Sequence, residues 1–272
     1  MTRRDLHRGA SELIVFGRHP VREAIRSPGV EVLEVKLAKE RSTADRRAFR
    51  EAARRADISV EEVSRGELSR WTGASRHDQG VAARVRLLRV GEVESFVAAR
   101  KGRAARVPSR LIALDGVTNS QNVGMVVRSV VGAGLDGLLW PLVGQPWVNG
   151  LVVRAAAGAL FECPIVTCDS LASGLGALQA AGYVCCGLEA GAGRSVFECD
   201  VPHRSVFVLG SETTGLSEDV RSLLDDRVSI PMAGPLESLN VAVAAGLVCF
   251  RAAGLLGPPE DAIRPIREPD AR

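Results

Sequence analysis

The second half of the sequence contains short apolar runs that alternate with stretches of helical periodicity. Six of these runs have few polar residues, at positions 111–114, 137–140, 165–168, 183–188, 206–209 and 228–230. A strand that is apolar at consecutive positions has both faces buried, which is typical of a parallel sheet with helices on each side. The pattern therefore predicts an α/β domain over residues 110–257, with a mostly parallel sheet and a long last helix at 239–255.

The first part of the sequence predicts a smaller α/β domain over residues 13–88. Its strands are expected at 13–16, 30–38, 58–63 and 80–85, and its helices at 20–25 and 44–56. Basic residues with Gly and Pro predict a linker at 89–109. Polar, charged ends predict disordered tails at 1–12 and 258–272.

Charge is divided unevenly between the two parts. Residues 1–110 contain 25 Lys and Arg against 15 Asp and Glu, a net charge of +10. Residues 111–272 contain 10 against 17, a net charge of −7. A basic part joined to an acidic part suggests that the first part meets a nucleic acid. The alternative is a solvated, Arg-rich surface, of which the mixed-sign helix at 44–56 would be an example.

The six cysteines form no C-x-x-C pair and have no histidine at a metal-ligand spacing. We therefore expect small buried side chains in a reducing compartment, and no metal site. No apolar run is long enough to span a bilayer, and no apolar stretch follows the basic start. Neither a membrane segment nor a secretory signal is expected, and the expected location is the cytoplasm.

Polar residues follow three of the six apolar runs, where ligands bind in open parallel sheets. After the first run, Asn122 is suited to cap the next helix, and Arg128 lies in an otherwise apolar helix. A charge there needs a partner, so Arg128 is either a structural ion pair or a site residue. After the fifth run, a glycine-rich loop begins at Gly210, but it matches neither a P-loop nor G-x-G-x-x-G.

The last run is followed by Ser238, which could cap the final helix, and by Asn240. Asn240 enters that helix among apolar residues, where a buried amide must find a hydrogen-bond partner.

Together these three segments resemble the SpoU/TrmH family of RNA ribose 2′-O-methyltransferases. The matching stretches are LDGVTNSQNVGMVVRSVVGAG at 114–134, FVLGSETTGLS at 207–217 and IPMAGPLESLNVAVA at 230–244. In the first part, FGRHPVREAI at 16–25 and HDQGVAARV at 77–85 resemble the small substrate-binding domain of the 23S rRNA members, which is similar to ribosomal protein L30e.

This resemblance implies a trefoil-knotted α/β methyltransferase domain of the SPOUT class, preceded by an L30e-like RNA-binding domain. It implies a homodimer with the active site near the dimer interface, and S-adenosylmethionine as cofactor. The implied activity is methylation of a ribose 2′-hydroxyl in RNA, with 23S rRNA as the favoured substrate.

The resemblance also implies the site residues of this chain. Its catalytic positions are Asn122, Arg128, Glu212, Ser238 and Asn240. Its cofactor-binding positions are Leu209, Gly210, Ser211, Gly215, Ile230, Pro231, Met232 and Leu239. The chain departs from the family at Asn119-Ser120, where Asp-Pro is common, and at Ala156, in a motif that often contains Ser.

Arg128 is expected to stabilise the developing alkoxide and to hold the neighbouring phosphate, rather than to act as a base. A guanidinium is protonated at neutral pH, which makes it a poor general base. The polar groups of Asn122, Glu212, Ser238 and Asn240 are expected to form a network around the nucleophile.

Three alternative functions are open at this point. The chain could modify tRNA, or it could be a catalytically silent RNA-binding factor of ribosome assembly, which the retained polar residues disfavour. A nucleotide-dependent oxidoreductase or hydrolase is disfavoured because G-x-G-x-x-G and an acidic ribose anchor after a first βα turn are missing.

Overall fold

The computed structural model describes residues 11–74, 76–101, 107–143 and 148–256. The strands are β1 (Glu12–Phe16), β2 (Val30–Ala38), β3 (Val60–Val63), β4 (Val81–Leu87), β5 (Val90–Glu92), β6 (Ser109–Asp115), β7 (Gly137–Pro141), β8 (Ile165–Cys168), β9 (Val184–Leu188), β10 (Arg204–Gly210) and β11 (Asp226–Val228). The helices are α1 (Arg18–Arg26), α2 (Thr43–Arg55), α3 (Arg65–Thr72), α4 (Val93–Ala98), α5 (Ser120–Gly132), α6 (Gly150–Ala156), α7 (Leu171–Ala180), α8 (Glu218–Arg221) and α9 (Val241–Ala252), with a 3-10 turn at Ala159–Phe161.

The larger sheet has seven strands in the order β11-β9-β10-β6-β7-β8-β5, and every pair is parallel. Side chains of one strand alternate between two separate cores. In β6, Ile112 packs in the core on one face, whereas Leu111 and Ala113 pack in the core on the other. The prediction of a mostly parallel sheet covered on both faces is therefore confirmed.

Parallel strands place their carboxyl ends at one edge of this sheet. Gly210 at the end of β10 is in register with Asp115 at the end of β6. Leu188 at the end of β9 is in register with Leu209 on one side and with Val228 of β11 on the other. The loops after these four strands therefore begin side by side.

The smaller sheet has the order β1-β4-β2-β3, with antiparallel pairs at β4 and one parallel pair, β2 with β3. Its strands agree with the predicted ones to within two residues at each end. The short helix α3 was not predicted.

The segment 89–109, predicted as a linker, contains β5 and α4. Val90 of β5 is in register with Ile165 of β8, so β5 is the edge strand of the larger sheet. The side chains of Val93, Phe96 and Val97 pack against the core that α7 covers. Three apolar residues at helical spacing only weakly indicate a helix, and the basic residues that follow them favour a linker. The predicted tails lie outside the described residues except for Ser11 and Glu12, and Glu12 already belongs to β1.

The two sheets are joined by close packing. A Cβ placed on Gly150 would lie 2.1 Å from the ring of Phe16, and one on Gly29 would lie 1.8 Å from the carbonyl oxygen of Phe161. Ser27 Oγ also donates to Glu162 Oε1 at 2.8 Å. No side chain larger than hydrogen fits at either glycine, so the small sheet lies directly on the layer formed by α6 and the 3-10 turn.

The trefoil knot that the family resemblance implies stays a prediction. Among the described residues, no helix has the length and apolarity needed to cross a membrane.

All six cysteines are buried and free, as expected from their spacing. Burial raises the pKa of five of these thiols to about 12, namely Cys163, Cys168, Cys185, Cys186 and Cys249. Burial also raises the pKa of Cys199.

We expect the native protein to react very slowly with a thiol reagent such as DTNB. At pH 8 a thiol with a pKa of about 12 is only about one part in 10⁴ thiolate, which is the reactive form. After unfolding in guanidinium, all six cysteines should react. Rapid stoichiometric labelling of the native protein would contradict the burial described here.

Candidate functional site

Three loops meet at the carboxyl edge of the larger sheet, as the positions of β6, β10 and β11 require. A hydrogen bond joins the first two loops, because the backbone N–H of Ser217 donates to Asp115 Oδ2 at 2.6 Å. The third loop leads into α9, whose first turn faces the loop after β10.

Glu212 is the point at which the three loops are joined. Its Oε1 accepts from Asn122 Nδ2 at 2.9 Å, from Asn240 Nδ2 at 2.6 Å and from the backbone N–H of Val241 at 3.2 Å. Asn240 Nδ2 also donates to Asn122 Oδ1 at 3.2 Å. The positive end of the α9 dipole favours a carboxylate at this position. Since no described residue donates to Oε2, that oxygen is free to accept from a ligand.

Helix capping differs from the prediction at both helices of the site. Asn119, not Asn122, caps α5, since Asn119 Oδ1 accepts from the backbone N–H groups of Gln121 and Asn122. Asn240, not Ser238, caps α9 and accepts from the N–H of Ala242 at 3.0 Å. Asn240 is therefore exposed at the helix start rather than buried within the helix. Because Asn119 fills the cap position, the Asn122 side chain is free to contact Glu212.

Helices α5 and α9 run parallel and side by side. Their starting residues Asn122 and Asn240 are in contact, a Cβ at Gly246 would lie 3.6 Å from Ser129 Oγ, and one at Gly132 would lie 3.8 Å from the ring of Phe250. Arg128 precedes Ser129 on this pair of helices and is exposed. It makes no ion pair with any described residue, so the predicted structural ion pair is not found there.

The loop after β10 depends on a glycine. Ser211 and Gly215 exchange backbone hydrogen bonds of 3.1 and 2.9 Å, which fold the loop back on itself. A Cβ on Gly210 would lie 2.2 Å from the carbonyl carbon of Gly215. Only glycine is tolerated at position 210, and bare backbone therefore faces the space beside the loop.

That space is a cavity of about 340 Å³. It takes in most of the residues predicted to bind a cofactor, namely Leu209, Gly210, Ser211, Gly215, Ile230, Met232 and Leu239. Two predicted catalytic residues, Glu212 and Ser238, also line it. Pro231, Asn122, Asn240 and Arg128 do not line it. Asn122 and Asn240 are connected to it through Glu212. Within the described part of the chain, no hydrogen bond or ion pair connects Arg128 to it.

Three charged residues in the cavity wall were not predicted as site residues, Glu189, Arg221 and Glu237. Arg221 Nη2 lies 2.7 Å from Glu189 Oε1. Glu189 directly follows β9, and a polar residue after a parallel strand was a usable signal. The sequence around it, EAGAGRS, matches no familiar motif, so nothing there singles out Glu189.

The two departures from the family pattern have structural explanations. Asn119 serves as the helix cap described above. Ala156 is fully buried under Gly124, at which a Cβ would lie 2.8 Å from the Ala156 backbone nitrogen. A hydroxyl at position 156 would be enclosed within the monomer, so its loss removes no exposed contact.

The residues present fit S-adenosylmethionine. Ligand pockets of this type are about 300–1,000 Å³, mostly apolar, with a few placed polar groups. This cavity combines apolar side chains and open backbone at Gly210 with the carboxylates of Glu189, Glu212 and Glu237, which suit a cationic sulfonium. Within the described ranges, no cluster of His, Cys, Asp or Glu could hold a metal ion.

Comparisons with known proteins identify the family. Residues 109–250 match the model of the SpoU rRNA methylase family, and residues 14–90 match that of the RNA 2′-O ribose methyltransferase substrate-binding domain. The chain is 38% identical over 250 residues to an uncharacterized tRNA/rRNA methyltransferase of Mycolicibacterium paratuberculosis, covering 90% of this chain and 78% of that protein. A similar relative from Mycobacterium tuberculosis is 37% identical over 250 residues, covering 90% of this chain and 75% of that protein.

Solved structures show the same fold. The SpoU methyltransferase AviRb of Streptomyces viridochromogenes, in complex with the cofactor AdoMet, has a TM-score of 0.66 at 25% identity, covering 91% of each chain. The AdoMet-bound rRNA methyltransferase of Sinorhizobium meliloti shares the fold with a TM-score of 0.67 at 20% identity, covering 91% of this chain and 89% of that one. The chain belongs to the SpoU family of RNA methyltransferases, which use S-adenosylmethionine as the methyl donor.

Proposed function

We propose that this protein methylates a ribose 2′-hydroxyl of 23S rRNA in the cytoplasm. The observation that carries the proposal is the Asn122–Glu212–Asn240 hydrogen-bonded cluster, which borders the cavity at the carboxyl edge of the sheet. The bound cofactor supplies an electrophilic methyl group. The chain must hold the ribose in place, stabilise the attacking oxygen and provide a pocket that excludes water.

The residues of the cluster divide these tasks. Asn122 is fixed by Glu212 and Asn240 and orients the ribose. Glu212 Oε2 accepts a hydrogen bond from the substrate, and Ser238 adds a second polar group in the cavity wall. Arg128 is free of carboxylate partners in the described part of the chain, so its charge is available to stabilise the alkoxide and hold a phosphate.

Exposed apolar side chains support a homodimer around Arg128. Met125 precedes Arg128 by one turn and is 45% exposed, and Val243 and Phe250, two turns apart on α9, are 49% and 36% exposed. A second copy of the chain would cover this face and bring its own surface to Arg128. A monomer in sedimentation equilibrium at micromolar concentration would count against the dimer.

The basic N-terminal unit is proposed to bind RNA through α2. The exposed face of the small sheet is charge-balanced by ion pairs such as Arg84 with Glu34 and Arg86 with Glu12. On α2, by contrast, Arg47 and Arg54 are exposed and make no ion pair with a described residue. They are seven residues apart on one helix face, about 10 Å along the axis, as suits two phosphates of one strand.

Methyl transfer tests the function directly. We expect labelled S-adenosylmethionine to modify ribosomal RNA purified from a strain that lacks the gene, at one 2′-hydroxyl that mapping can identify. Labelling of tRNA alone would show a tRNA enzyme, and labelling of neither RNA would favour a silent assembly factor.

Arg128→Ala should lower turnover by about 10²–10³-fold or more, because one well-placed electrostatic group is lost. The dissociation constant for S-adenosylmethionine should stay within a few-fold, since Arg128 does not line the cavity. Calorimetry and single-turnover rates measure the two effects. Cofactor binding that collapses together with activity would show instead that Arg128 is structural.

Two variants of Asn240 distinguish its role as the cap of α9 from the role of its side-chain amide in the cluster. Asn240→Ala removes both and should lower the free energy of unfolding by about 1 kcal/mol. Asn240→Ser keeps a capping oxygen, so stability should stay near that of the wild type. Both variants lose the hydrogen bonds to Glu212 and Asn122, and both should lose most activity in the same assay. A fully active serine variant would reduce Asn240 to a helix cap.

Salt dependence tests the α2 surface. Replacing Arg47 and Arg54 by Gln should make the slope of log K against log salt for RNA binding shallower by about 1.5, at about 0.7–0.9 per lost phosphate contact. The control replaces Arg84 and Arg86 by Gln, which changes net charge equally. Equal slopes for the two double variants would mean that only overall charge matters.

A further inference from the structure

We infer that Glu189 and Arg221 together bind the zwitterionic amino-acid end of S-adenosylmethionine. This inference rests on the proposed function, because it assigns a part of the same cavity to one part of the cofactor. Neither residue lies in the three segments that carry the family resemblance at 114–134, 207–217 and 230–244.

Both residues are held in place by the fold. Glu189 directly follows β9, the strand beside β10, and so lies at the same edge as the glycine loop. Its backbone N–H donates to the carbonyl of Val228 at 2.9 Å, which fixes the main chain there. Arg221 is the last residue of α8. Their side chains are 19% and 41% exposed, and both line the cavity.

The pair has binding capacity left after its own contact. One Arg221 N–H group engages Glu189 Oε1 at 2.7 Å, and the contact of Arg221 with the largely exposed Glu218 is long, at 4.0 Å. A guanidinium has five N–H donors, and a carboxylate accepts about four hydrogen bonds. Donors of Arg221 and lone pairs of Glu189 are therefore left for a ligand.

An α-amino acid group is the complement of this pair. Its carboxylate can accept from Arg221 while its ammonium donates to Glu189, so each of the four charges lies beside charges of opposite sign. A cavity with only a cation would suit an anion such as phosphate. A cavity with an adjacent cation and anion selects a ligand that carries both.

A ribose diol is the alternative ligand for Glu189. An acidic residue near the glycine-rich strand of a dinucleotide-binding sheet often accepts from ribose hydroxyls. A diol has no carboxylate, however, and leaves Arg221 unused. The amino-acid end uses both residues and is therefore the better match.

Calorimetry with two ligands distinguishes these assignments. S-Adenosylhomocysteine carries the amino-acid group, whereas 5′-methylthioadenosine has the same nucleoside without it. We expect Glu189→Gln and Arg221→Gln each to weaken S-adenosylhomocysteine binding about tenfold or more, as the loss of a charge-assisted hydrogen bond does. Binding of 5′-methylthioadenosine should be unchanged, which also shows that the cavity is intact.

The matched control is Arg227→Gln. Arg227 also approaches Glu189, at 3.5 Å from Oε2, but does not line the cavity, so its loss should leave both affinities unchanged. Equal weakening of both ligands, which would indicate ribose contact or collapse of the pocket, overturns the inference. So does unchanged binding of both. A wild-type protein that binds neither nucleoside would overturn the proposed function itself, and the inference with it.

Discussion

The site exists because β6 and β10 are parallel neighbours in a sheet that is buried on both faces. Their register places Gly210 beside Asp115, so that two loops leave the sheet at the same height. Burial on both faces leaves the ends of the strands as the places where polar groups can gather. Parallel strands also need long crossover connections, and the connection from β6 to β7 forms α5. The helix α9, which follows the last strand β11, completes the site.

Glu212 fixes the positions of the neighbouring loops relative to one another. One carboxylate oxygen receives two side-chain amides and one backbone N–H, each from a position near the start of a helix. The amide of Asn240 is further constrained because its oxygen is used as the cap of α9. The orientation of the Asn122 side chain is therefore set in part by Asn240, which lies at the start of α9. That arrangement is more rigid than either loop alone would provide.

The sequence predicted the strands well because a strand that is buried on both faces is apolar at consecutive positions, which is a strong local pattern. It predicted β5 poorly, since a three-residue edge strand contains almost no periodic signal and owes its existence to pairing with β8. The caps were misassigned for a related reason. Asn119 and Asn122 are both good capping residues, and which of them caps α5 depends on the path of the chain after β6 ends at Asp115. The partners of Glu212 are 28 and 90 residues away in sequence, so no local pattern could reveal them.

The close packing between the two sheets decides how charge in one unit can serve chemistry in the other. Phe16 against Gly150 and Gly29 against Phe161 leave no room for a side chain, so the small sheet is docked rather than tethered. In a docked arrangement, arginines on α2 lie at a fixed position relative to Glu212. A phosphate bound at α2, as proposed above, would therefore restrict which nucleotide can reach the acidic cavity. Under the proposed function, attraction and selection are separate: the +10 charge of residues 1–110 would attract any RNA, whereas the rigid contact between the sheets would select the ribose that is methylated.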